Sequence, residues 1–130
     1  KLNLMTTTEK SILIAEFMGG VYNDSPQRLS KFDIPKDSIW LPIHNMSRLS
    51  RLQYNTSWDW LMPVVDKIER LGYRTDIFKA DDSDTHLCQV WTHHAERSQL
   101  VSTAKEWSRT KIEAVYGAVV QFIQWYNQNK

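Results

Sequence analysis

Ser57-Trp58-Asp59-Trp60-Leu61-Met62-Pro63-Val64-Val65-Asp66-Lys67-Ile68-Glu69 is the stretch on which the fold turns. Trp58, Leu61, Val65 and Ile68 recur at helical spacing, and Trp60, Val64 and Leu71 widen the same stripe. Apolar residues three and four apart share one helix face, and that face must be buried against something. The segment reads as an amphipathic helix opening between Thr56 and Asp59 and closing at Leu71, with Gly72 as its stop. Proline is tolerated in a first turn but removes a hydrogen bond further in, so Pro63 places the start of regular helix near Asp59 or Trp60. The matching wall runs from Lys111 to Asn127, where Ile112, Val115, Tyr116, Val119, Phe122, Ile123 and Tyr126 form the cleanest periodicity in the chain. Thr110 and Glu113 stand at capping distance ahead of it.

Between these helices, Tyr73 to Lys79 and His86 to His93 read as a pair of strands. The polar linker Ala80-Asp81-Asp82-Ser83-Asp84 suits a solvated hairpin loop. A first helix opens near Thr6, whose spacing to Glu9 is that of a capping box, and stops at Gly19-Gly20. Leu13 and Phe17, and Ile14 and Met18, give it a broad apolar stripe. Ile39, Leu41 and Ile43 alternate with Trp40, Pro42 and His44, as in a short strand with one buried face. Pro42 cannot donate to a ladder, so this strand is expected at a sheet edge or frayed. Arg97 to Trp107 reads as a weakly patterned connection. The expected class is α+β: a small antiparallel sheet of two or three strands packed with three helices, in the order α-β-α-β-β-α.

Composition narrows the range of functions. The 130 residues suit a single domain, 1–130, with a core large enough to need no staples. A net charge of +1 excludes a polyanion mimic and a strongly basic nucleic-acid binder. Cys88 is the only cysteine, which rules out an internal disulfide and suits a reducing cytoplasm. No apolar run approaches the roughly 18–20 residues of a membrane span, and no apolar leader opens the chain. Residues 1–4 precede Met5, the expected true start, and read as an appended remnant. The acceptor patterns at Asn45 and Asn55 read as chance in a cytoplasmic protein.

The residues that could carry chemistry are few. His86 and Cys88 lie two apart on one strand face, a workable start for zinc, but His93 falls on the opposite face and no second cysteine exists. Surface or structural histidines are the simpler reading, and no metal is expected. Cys88 as a nucleophile would need a lowered pKa and access, whereas a lone strand cysteine is usually a small buried hydrophobe. Asp81, Asp82 and Asp84 lack the glycine and terminal glutamate of a calcium loop. Gly19-Gly20 follows a helix rather than opening one, so it cradles no phosphate. No catalytic residue and no cofactor is expected. Trp58, Trp60 and Trp125 sit within periodic helices and read as core.

The phrases Ile14-Ala15-Glu16-Phe17-Met18-Gly19, Ser57 through Val65, and Ile112 through Asn127 resemble small proteins of Bacteroidetes phages and prophages. The order of elements is similar to the phage ABA sandwich domain. The resemblance covers most of the chain, rests mainly on core residues and brings no catalytic or binding residues with it. It implies a phage habitat and a cytoplasmic location in a bacterial host. The chain departs from that pattern in an insertion, residues 26–54, which holds the edge strand, and in the connection from Ala95 to Trp107.

That insertion is the local basic patch. Arg28, Lys31, Lys36, Arg48 and Arg51 flank the strand against only Asp33 and Asp37. Exposed aromatics beside arginines anchor protein interfaces and also stack on single-stranded bases. Trp40, Lys36, Arg48, Arg51 and Trp107 are therefore the candidate binding residues. The expectation is a non-enzymatic phage accessory protein that binds a host or phage protein, with a bacterial defence nuclease of the CRISPR type as the candidate partner. A nucleic-acid-binding module built on Trp40 and the basic insertion is the alternative, and a metal- or thiol-dependent enzyme a more distant one.

Overall fold

The computed structural model describes residues 5–22, 38–81, 84–92, 99–103 and 107–129, and of Tyr22, Ser102 and Thr103 the backbone alone. Its residues gather into two compact units, Lys1–Gln53 and Tyr54–Lys130. Both combine helix with antiparallel strand, so the α+β class and the three helices expected from the sequence are those observed. The expected order α-β-α-β-β-α runs through the described elements, with three further short strands.

In the first unit, helix α1 spans Thr7–Phe17. The Thr6 hydroxyl accepts the Glu9 N–H at 3.1 Å, and the Thr6 N–H donates to Glu9 Oε1 at 2.9 Å, completing the capping box. These bonds, the backbone one foremost, hold the Glu9 carboxyl below its ordinary range. Ile14, Ala15 and Phe17 are buried, and partial burial raises the pKa of Glu16 on the same helix. Gly19 ends the helix with φ +89°, a conformation that costs glycine nothing. The Gly20 N–H then donates to the Ala15 carbonyl at 2.7 Å and turns the chain into β1, Val21–Tyr22.

Strand β1 pairs with β2 (Ser38–Leu41), and β2 with β3 (Asn45–Arg48), both antiparallel. This corrects the expected edge strand: β2 is the middle strand of three, and β3 is an edge among the described residues. Pro42 creates no conflict because it lies just past β2, in the turn of residues 42–44. Ile39 and Leu41 are buried as expected, but Ile43 sits in that turn and is 58% exposed. A single 3-10 turn, Leu49–Arg51, follows β3. Residues 26–37 of the insertion, Lys36 included, lie outside the described residues.

The second unit opens with α2, Trp58–Arg70, closed by Gly72 at φ +102°. Leu61, Val64, Val65 and Ile68 are buried, and each contributes on the order of 1.5–3 kcal/mol. Two members of the expected stripe are exposed instead: Trp58 at 38% and Leu71 at 41%. Both sit at the ends of the helix, Trp58 in the first position and Leu71 at the cap, where the stripe overruns the surface it covers. Pro63 lies inside α2 rather than in its first turn, a second correction. The Asp59 carbonyl thereby loses its intrahelical donor, and at an exposed residue water can replace it.

Strands β4 (Tyr73–Lys79), β5 (His86–Thr92) and β6 (Leu100–Thr103) form the second sheet in that order, all antiparallel. The expected pair is present, except that His93 falls outside the described residues. The connection after it holds β6, which pairs with β5 across an irregularity at Val90 and Trp91. Helix α3, Lys111–Asn129, packs on β5 and β6, and α2 packs on β4. The Thr110 hydroxyl accepts the Glu113 N–H at 3.2 Å and caps α3 as its spacing predicts. His86, Cys88 and Val90 alternate as the buried face of β5. On the same face Tyr73 meets the Phe122 ring at 4.8 Å, and the Thr75 hydroxyl donates to Glu69 of α2 at 3.3 Å. Both helices therefore cover one face of this sheet.

Candidate functional site

The β2–β3 hairpin brings three of the candidate features together. Its register sets Trp40 opposite Met46 and Ser38 opposite Arg48. Directly opposed residues of an antiparallel pair share a face, so Ser38, Trp40, Met46 and Arg48 lie on one side of the hairpin. The other side carries Ile39 and Leu41, whose side chains come against Gly20 in the core of the unit. Ser38 is buried, Trp40 half-buried, and Met46 and Arg48 exposed, so the candidate face opens toward β3. Arg51 follows in the 3-10 turn and is also exposed.

The electrostatics of this surface are simple. Ser38 to Gln53 contains no carboxylate. Desolvation lowers the pKa of His44 in the turn from its ordinary 6.5, which favours its neutral form. The positive charge of the hairpin thus rests on Arg48 and Arg51, and neither forms an ion pair among the described residues. Trp107 is 47% exposed but belongs to the second unit, ahead of Ser108. Met46 carries no strand signal in the sequence, because Asn45-Met46-Ser47-Arg48 has no apolar alternation. The identity of Asn45 was the available signal, since this residue type accepts the φ of +60° that it adopts at the end of the tight turn.

The second cluster, around Cys88, has the opposite character. His86 and Cys88 share a face, as their spacing predicts, but that face is the one buried under α3. The His86 backbone exchanges hydrogen bonds with Ser108 at 2.6 and 2.8 Å, and its Nδ1 is buried without a partner. Among the described residues no three metal-ligating side chains converge. Burial, with a smaller contribution from the Asp76 carboxylate, pushes the Cys88 thiol up to about 12. A thiol held protonated and out of solvent is a poor nucleophile.

This burial has a measurable consequence. The Tyr54 hydroxyl is likewise pushed from 10 to about 12 by desolvation. In both groups the unfolded chain ionises first. The stability they share is therefore intact below pH 9 and declines as pH rises from about 9 through about 12. Denaturant midpoints should fall between about pH 8 and about pH 11, and less steeply in the Tyr54→Phe variant. Identical midpoints at the two pH values would show that these groups are open to solvent.

Compared with known proteins, the chain matches no family model, no curated protein and no solved structure.

Proposed function

We propose that this chain acts by binding another protein through the β2–β3 hairpin and the turn that follows it. The observation that carries this reading is the convergence of Trp40, Met46 and Arg48 on one opening face, with Arg51 beside it. Aromatic, methionine and arginine side chains are the types enriched at interface centres. Arginine is weakly hydrated and planar, so it is desolvated by a partner at less cost than lysine. The burial of Cys88 and His86 removes the most reactive pair from consideration as a catalytic centre and supports a non-enzymatic role. With the resemblance to phage proteins, the proposed role is that of a phage accessory protein directed at a host defence protein, such as a CRISPR nuclease.

The test is affinity capture from host lysate, comparing the parent with the variant Met46→Lys/Arg48→Glu/Arg51→Glu. Trp40 is left in place because it is half-buried and engaged in contacts of its own. All three substituted residues are exposed, so the melting temperature should stay within a few degrees, roughly the change expected of surface substitutions. A captured protein should be lost by the variant at least about tenfold. Retention of the same protein by the variant would place the interface elsewhere. Salt-sensitive binding of a single-stranded oligonucleotide that vanishes in the variant would instead favour nucleic acid as the ligand.

A further inference from the structure

We infer that the hairpin receives its partner by strand addition along β3, and that the added strand is acidic. This rests on the protein-binding reading of the hairpin and specifies its ligand. Among the described residues β3 has one neighbour, β2, so alternate residues of Asn45–Arg48 turn their N–H and C=O groups outward. The β2–β3 register runs from Ser38↔Arg48 to Leu41↔Asn45 without a shift, and β3 contains no proline. The edge thus lacks the bulges and prolines that commonly keep a strand from pairing. Backbone hydrogen bonds to such an edge supply affinity, and side chains alternating along it supply selectivity.

The side chains specify what is selected. Met46 and Arg48 are two apart on the same exposed face, followed by Arg51, and neither arginine forms an ion pair among the described residues. A strand laid on β3 would set an apolar residue beside Met46 and a carboxylate beside Arg48, two positions away on the same side. A further carboxylate past its end would meet Arg51. A second copy of this chain fits less well, because its own β3 and the turn after it offer arginines and no carboxylate to meet Arg48 and Arg51. The occupant is therefore an extended segment of another protein, with apolar and acidic residues at alternate positions.

The probe is a fluorescein-labelled octapeptide in which threonine alternates with valine and glutamate. Its control carries lysine in place of glutamate. Anisotropy should show the glutamate peptide binding the parent at least about tenfold more tightly than the lysine peptide, and Arg48→Glu/Arg51→Glu should erase that difference. Amide hydrogen exchange on the parent should slow at Asn45–Arg48 when the glutamate peptide is added. The proposal is overturned if the two peptides bind equally, if neither binds, or if exchange at β3 is unchanged. The lysate capture separates the two levels. If the peptide fails while the hairpin variant still loses its captured protein, strand addition is wrong and the surface stands. If capture also survives the variant, both fall.

Discussion

Phe122→Ala is expected to lower the free energy of unfolding by about 3–5 kcal/mol. Phe122 is fully buried in the second unit. Its ring lies 4.8 Å from Tyr73, 5.7 Å from Tyr126 and 6.1 Å from Trp125 between centroids. Truncation removes the apolar area and these ring contacts together, and leaves a cavity beside the three aromatic rings. The three neighbours lie on α3 and β4, two separately anchored elements, so they can collapse into the space only in part. Phe122→Leu, which keeps most of the volume, should cost less than about 1.5 kcal/mol. Chemical denaturation checks both. An alanine variant that melts like the parent would remove α3 from the core.

Gly20→Ala is expected to destabilise the first unit by about 1–3 kcal/mol, through crowding rather than backbone conformation. A Cβ at Gly20 would lie 2.8 Å from the Ala15 carbonyl oxygen and 3.0 Å from both Ile39 Cδ1 and Leu41 Cδ2. Two of these neighbours are side-chain ends that can shift. The third is a backbone oxygen in α1, and it already accepts the Gly20 N–H at 2.7 Å. Shortening Ile39 to valine should therefore fail to rescue the variant. Gly72→Ala is the informative contrast: nothing lies within 4 Å of its Cβ position, and its φ of +102° makes the cost purely conformational. Because β2 packs against this glycine, Gly20→Ala should also weaken partner capture without altering an exposed residue of the hairpin. Unchanged stability would mean that Gly20 does not sit against Ile39 and Leu41.

Much of the fold could be read from the sequence, because local chemistry and burial agree there. The Thr6–Glu9 and Thr110–Glu113 caps, the stops at Gly19 and Gly72, and the pairing of β4 with β5 each follow from a signal within a few residues. What escaped was fixed by partners remote in sequence. Val21–Tyr22, Asn45–Arg48 and Leu100–Thr103 are too short to show a period, and they become strands only because β2 and β5 offer edges. Ile43 and Trp58 show the reverse failure, with apolar periodicity continuing past the end of the surface that could bury it. At the candidate site, Trp40, Arg48 and Arg51 stood out by residue type. Their grouping did not, because it depends on the β2–β3 register that brings Met46 between them. A misplaced edge followed from Pro42, which ends β2 rather than marking it as outermost.

The central claim is that the exposed edge and face of the hairpin receive a protein partner. Amide hydrogen exchange of the chain, alone and saturated with its captured partner, tests it most directly. Slowed exchange centred on Asn45–Arg48 and reaching Arg51, with β4 and α2 unchanged, is the expected result. Exchange left unchanged along β3, with protection appearing in the second unit around Trp107 or the β4–β5 loop, would contradict it.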